Sequence, residues 1–233
     1  MGMKADGEAD LHEIDRYDGG VGWIAYPNET MERASHAVAV SNDETGESDV
    51  WVFDPVDAPG VDDLIAELGT VAGVVVGLDR HKRDAAAVAT RHDAPVYVPQ
   101  WMSGVADALD APVERFGGEL ADSGFEAVRI RDSGIPPWQE VGLYHPEDGT
   151  LLVPEAVGTA AYFRAPGEPL GVHPMLRPVP PRRELSRFDP ERVLVGHGAG
   201  VDTDAAAALD DALDNARSNL PGAYGQALKQ LLS

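Results

Sequence analysis

Short runs of branched and aromatic residues alternate with turn-forming clusters along most of the chain. Residues 21–27 (VGWIAYP), 36–42 (HAVAVSN) and 49–55 (DVWVFDP) are dense in Val, Ile, Trp and Phe and are separated by polar, Pro- and Asn-containing stretches, the composition of strands. The NDETGES stretch between the second and third predicts a hairpin turn. The period then changes. PGVDDLIAELG (59–69) opens on Pro-Gly, places Asp62 and Asp63 in the first turn and spaces its apolar residues as one face of a helix. An apolar run over 71–78 predicts a buried strand, the alanine-rich stretch from about Arg83 to His92 a helix, and APVYVP (94–99) the strand that completes a β-α-β unit.

The second half is strand-rich. VERFGG (113–118), FEAVRIR (125–131), EVGLYHP (140–146) and TLLVPEAVG (150–158) predict strands, with PEDG as a tight turn before the last of them. Residues 164–183 contain six prolines, which excludes regular structure there and predicts a surface loop or lid. RVLVGHG (192–198) predicts a buried strand ending in a glycine-flanked histidine, and TDAAAALDDALDNARSNL (203–220) an amphipathic helix. Strands, a β-α-β unit, more strands and a final β-α unit fit two mixed sheets packed together with helices outside. Residues 1–12 are polar and expected to be disordered, with 13–233 forming a single domain.

Charge narrows the partners. Forty acidic against eighteen basic residues give a net charge of −22, and the only lysines are Lys4, Lys82 and Lys229. Such a surface repels nucleic acid and anionic membranes. It also has the composition of a protein from a high-salt cytoplasm, where screened carboxylates hold hydration. There is no cysteine, so a thiol nucleophile and Cys-type zinc sites are excluded, and any metal falls to His and carboxylate. No stretch approaches eighteen uninterrupted apolar residues and the first residues lack the apolar core of a signal peptide, so a soluble, cytoplasmic protein is expected.

The chemistry concentrates at the end of the 71–78 strand, where Asp79, Arg80, His81, Lys82, Arg83 and Asp84 form a charged knot before the helix. Carboxyl ends of buried strands are where α/β proteins place their sites. With VFDP, APVYVP, GLYHPEDGTLLVPEAVG and VLVGHG in that order, the chain resembles the metallo-β-lactamase superfamily over roughly residues 20–215. The resemblance implies a four-layer αβ/βα sandwich of two mixed sheets flanked by helices. It also implies a site for one or two metal ions, usually zinc, built on a His-x-His-x-Asp-His signature. Aligned through the aspartate, that signature becomes Arg80-x-Lys82-x-Asp84-Ala85, with His81 on a spacer. The turn that carries a further family histidine matches DSGIPPWQEVGLY, which has none; Glu155 matches the family's bridging aspartate and His197 its last histidine. Asp54 matches a structural carboxylate of the family. His36, His92, His145 and His173 have no family counterpart and read as ordinary surface or core histidines, and Trp101, Trp138 and the proline-rich loop are candidate pocket walls.

Two functions follow. In the first, the metal ligands are largely lost and Arg80 or Lys82 neutralises Asp84 and Glu155, with His197 opening on the same pocket. A guanidinium cannot give up its proton to bind metal, so no metal is expected, and the protein is a non-hydrolytic member that binds a small anionic ligand or acts as a scaffold. In the second, Asp84, Glu155 and His197 hold a mononuclear metal such as zinc, which makes the protein an ester or thioester hydrolase. The sequence names neither substrate nor oligomeric state.

Overall fold

The computed structural model describes residues 7–42 and 46–232; the expected disorder over residues 1–6 and the centre of the NDETGES turn lie outside them. The chain forms β1 (His12–Tyr17), β2 (Gly20–Ile24), β3 (Ala34–Ser41), β4 (Ser48–Phe53), α1 (Val61–Ala66), β5 (Thr70–Val75), α2 (Ala85–Arg91), β6 (Val96–Pro99) and β7 (Val113–Phe116). These seven strands make one sheet in sequence order. There follow β8 (Glu126–Gly134), β9 (Pro137–His145), β10 (Thr150–Val153), β11 (Val157–Gly158), β12 (Gly171–Val172), α3 (Arg182–Leu185), β13 (Arg192–Val195), α4 (Ala205–Asn215) and α5 (Leu220–Leu232). The second sheet has the order β13-β10-β9-β8, and β11 pairs with β12 beside it.

Alternation along the strands builds three apolar layers between four layers of structure. In β4 and β5, Val50, Val52 and Val74 point outward onto Val61, Leu64 and Ile65 of α1 and Ala85 and Val88 of α2. Their neighbours Trp51, Phe53 and Val75 point inward and meet Val141, Leu143, Leu152 and Leu194 of the second sheet. In that sheet Leu151, Val153, Val193 and Val195 face out onto Leu185 of α3 and Ala205, Ala208, Leu209 and Ala212 of α4. Each buried Val or Leu contributes about 1.5–3 kcal/mol, so strict alternation fixes both the register and the sandwich. The architecture is the four-layer α/β/β/α arrangement of two mixed sheets.

Three local readings change. Asp10 donates its N–H to Ala25 and β1 begins at His12, so the chain joins the sheet within the polar stretch. The proline-rich segment is pinned: Leu170, Val172 and Leu176 pack in the core, and it contains β12 and the start of α3. Finally, α5 follows α4 where only a helix to residue 220 is predicted; Pro221 and two glycines conceal it in sequence. Among the described residues no helix is long and apolar enough to cross a membrane.

Candidate metal centre

Parallel pairing sets the place of the site. β4, β5 and β6 run parallel in the first sheet, β10 and β13 in the second, and the carboxyl ends of β4, β5, β10 and β13 converge. Asp54 follows β4 with a left-handed φ of 45°, a conformation Asp tolerates better than most residues. Glu155 follows β10 and His197 follows β13. The glycines beside His197 are there for space: a Cβ on Gly196 would lie 2.2 Å from the carbonyl oxygen of Pro154, and Gly198 has a φ of 86°. His197 can therefore sit directly against the Glu155 turn.

Glu155 divides its two oxygens between two groups of partners. Oε2 lies 3.1 Å from His81 Nε2 and 3.7 Å from His197 Nε2, while Oε1 lies 3.1 Å from Arg80 Nη2 and 3.6 Å from His173 Nε2. All three histidines and Glu155 are buried. His81 Nδ1 donates to Asp54 Oδ2 at 3.0 Å, and Asp54 Oδ1 accepts the Gly77 N–H. His197 Nδ1 donates to the Met31 carbonyl at 2.8 Å. In both rings Nδ1 therefore carries a proton, and a ring in its neutral form turns the Nε2 lone pair toward Oε2. Two lone pairs facing a carboxylate oxygen repel unless a cation lies among them.

His173 is oriented the other way. Its Nδ1 accepts the Met175 N–H, so Nε2 carries the proton and points it at Glu155 Oε1. Burial pushes His173 down to about 4, against the pull of Glu155, and so keeps it a neutral donor. Burial likewise lowers His197 despite its contact with Glu155, which keeps that ring neutral. Burial raises the Glu155 carboxyl; hydrogen bonds and charge from His197 and His81, which those rings supply only when protonated, act in the opposite direction and hold it low.

Beneath these groups lie two residues that sequence reasoning missed. Arg83, at a φ of 40°, sends its guanidinium to the carbonyls of Ala34, Asp54 and Gly196 and so ties both sheets together behind the site. Burial pushes it down to about 10, and it remains a cation at neutral pH. Glu140 on β9 accepts the N–H groups of Glu155 and Ala156 and the indole N–H of Trp138; burial raises its carboxyl to about 7 against those donors.

The knot contributes selectively. Arg80 reaches Glu155 and stacks on Trp138, its guanidinium carbon 4.2 Å from the ring centroid. Lys82 turns away and donates to the Asp79 carbonyl, and Asp84 accepts the Asp57 N–H, so neither faces Glu155. His81, on a spacer in the aspartate-anchored alignment, is the residue that joins Glu155 and His197. An alignment anchored on His81 instead of Asp84 would find it. Three of the histidines read as ordinary lie elsewhere, His36 bonding the Val195 carbonyl, His92 Asp62 and His145 Asp148, and Trp101, a candidate pocket wall, packs under Arg129.

His81 Nε2, a Glu155 oxygen and His197 Nε2 lie within 4.8 Å of one another, the one group of His and carboxylate ligands among the described residues that fits a metal ion in this way. The donor set suits zinc: two imidazoles and a carboxylate, each ring oriented by a hydrogen bond from its other nitrogen. His197 Nε2 is buried without a hydrogen-bond partner, the orphaned atom expected of a ligand position. A cavity of about 260 Å³ opens onto the cluster, with Arg33, Arg80 and Arg83 among its walls.

No protein-family model and no curated protein matches the chain. Solved structures do. DIM-1 metallo-β-lactamase exposed to ceftazidime is 14% identical with a TM-score of 0.59, over 91% of this chain and 100% of that one. A metallo-β-lactamase from Pontibacter korlensis is 13% identical with a TM-score of 0.59, over 88% and 100%. The flavodiiron protein from Giardia intestinalis is 12% identical with a TM-score of 0.60, over 91% of this chain and 60% of that one. At such identities the likeness speaks for architecture alone: the chain has the metallo-β-lactamase superfamily fold.

Proposed function

We propose that the protein is a mononuclear metal-dependent hydrolase of a small anionic ester- or thioester-type substrate, with His81, Glu155 and His197 as the metal ligands. The observation that carries this reading is the pair of imidazole lone pairs turned on one carboxylate oxygen, His81 Nε2 at 3.1 Å and His197 Nε2 at 3.7 Å, with Asp54 and the Met31 carbonyl orienting the rings from behind. A divalent metal there supplies Lewis acidity and a water acidified to about pKa 7.

The chain's own residues do the rest. Arg80, with its side chain 39% exposed, offers the cavity a guanidinium edge for an anionic group, and Arg33 lies across the same opening. Arg80 holds Oε1 at 3.1 Å and His173 faces it, so Glu155 presents Oε2. The Arg80 guanidinium at 3.1 Å favours the ionised form of Glu155.

A second reading keeps the cluster metal-free, with Arg80 as the counter-cation of Glu155 and the cavity as an anion-binding site without hydrolysis. The 3.1 Å Arg80–Glu155 contact favours it. Protein purified without chelator and assayed on carboxylate-bearing thioesters separates the two. The hydrolase reading expects turnover that a chelator abolishes and zinc restores, and that His197→Ala lacks. Anion binding without metal and without turnover would replace it with the second reading.

A further inference from the structure

Glu140 lies under the site, fully buried, and does not line the cavity. One of its oxygens accepts the N–H groups of Glu155 and Ala156, each at 2.7 Å, and the other accepts the indole N–H of Trp138 at 2.7 Å. These bonds are short, and they are charge-assisted in the ionised form of Glu140. The face of Trp138 carries the Arg80 guanidinium, and Arg80 Nη2 grips Glu155 Oε1. The contacts form a closed circuit: Glu140 fixes the backbone of Glu155 on one side and, through Trp138, the cation on its side chain on the other. His173 packs edge-on against the same indole, 5.0 Å between ring centroids, and faces the same oxygen.

We infer that Glu140 is a positioning residue, acting through Trp138 to set Arg80 on Oε1 of Glu155 and thereby leave Oε2 turned to His81 and His197. Capping two backbone N–H groups would need only one oxygen. The second oxygen, spent on the indole, is what extends the effect to Arg80. Glutamine at 140 keeps the size but has a single acceptor oxygen for donors that occupy both carboxylate oxygens. Its amide NH2 would then face an N–H, and the indole loses its anchor while the backbone pair is kept.

The test is NMR of 15N-labelled, chelator-treated protein, followed by zinc titration. Trp138→Phe identifies the Trp138 indole signal and Arg80→Met the Arg80 Nε–H. In the unsubstituted protein the Arg80 signal should be shifted by the ring beneath it. Glu140→Gln should return it toward the position of an exposed arginine, while a merely structural role for Glu140 would leave it in place. An unmoved Arg80 signal in folded Glu140→Gln overturns the inference. Should that variant fail to fold, Glu140→Asp, which keeps both acceptor oxygens but is one methylene too short to hold the backbone pair and the indole together, must still move Arg80, and an unmoved signal there also overturns it. The zinc arm rests on the metal-dependent reading proposed above. There Glu140→Gln should bind zinc about 10- to 100-fold more weakly, the effect usual for partners behind a ligand, and unchanged affinity counts against the inference. If the unsubstituted protein takes up no zinc, the metal reading fails while the Arg80 signal still decides the role of Glu140.

Discussion

Two glutamates in the second half of the chain, Glu155 buried and Glu168 largely so, each face an arginine, and they differ in how completely they are satisfied. Glu168 receives two nitrogens of Arg177, the Ala165 N–H and the Asn219 side-chain amide. Arg177, itself 0% exposed, spends its remaining donors on the carbonyls of Val172, Phe163 and Ala216. That pair is saturated, and it staples the proline-rich segment to the turn after α4. Glu155 instead meets one nitrogen of a half-exposed Arg80 on one oxygen and two imidazole nitrogens on the other, one of them without a hydrogen bond. The same residue types make a structural clasp in one place and an incompletely satisfied cluster facing a cavity in the other. Full satisfaction marks the clasp, and an unpartnered buried nitrogen marks the other cluster.

Substitution should separate them most clearly. Arg177→Met strands a buried carboxylate and is expected to destabilise the fold by about 3–5 kcal/mol, measured by urea denaturation. Arg80→Met leaves Glu155 with His81 and a water-accessible edge, so the expected loss is about 1–3 kcal/mol. Equal losses in the two variants would erase the distinction. Added salt should sharpen it from another side: the excess of carboxylates is screened, so melting temperature should rise between low and molar salt, equally in Arg177→Met and the unsubstituted protein because Arg177 is fully buried, and by more in Arg80→Met, which lacks the partly exposed pair that salt weakens. A fall in the melting temperature of the unsubstituted protein would contradict the high-salt reading of its composition.

The smallest effect is expected at a third carboxylate–arginine contact, on the surface. Burial alone would raise Asp148, but hydrogen bonds from His145 and Thr150 hold it at about 2, below the ordinary 3.8. Its folded pKa is depressed, so its contribution is present above about pH 3.8 and lost as pH falls toward 2. Asp148→Asn should remove that part of the acid slope and change neutral-pH stability by less than about 1 kcal/mol, read from thermal melts across pH 2–6.

The sandwich was legible because strand alternation is local: Trp51 and Val52 must face opposite ways wherever β4 lies. The Arg80–Glu155 contact was legible too, since a buried carboxylate at a strand end requires a cation and the knot supplies them. The facing of His81 was not. It depends on how the chain turns between Leu78 and α2, where Arg83 takes a left-handed φ that no motif encodes, and that turn sends Lys82 and Asp84 elsewhere. Nor could spacing reveal His173, which reaches Glu155 from within the proline-rich segment, or Glu140, whose role depends on a turn fifteen residues later.

Zinc titration of chelator-stripped protein, followed by thermal or urea unfolding, asks whether His81, Glu155 and His197 hold a metal ion. One zinc per chain should bind the unsubstituted protein and stabilise it by about 2.7 kcal/mol when free zinc is a hundred times the dissociation constant. The same titration should leave His81→Ala and His197→Ala unstabilised, while Asp84→Asn, whose carboxylate faces Asp57, responds as the unsubstituted protein does. Zinc binding that survives loss of both histidines, or no zinc-dependent stabilisation of the unsubstituted protein, would contradict the reading of Glu155 as a site missing its cation.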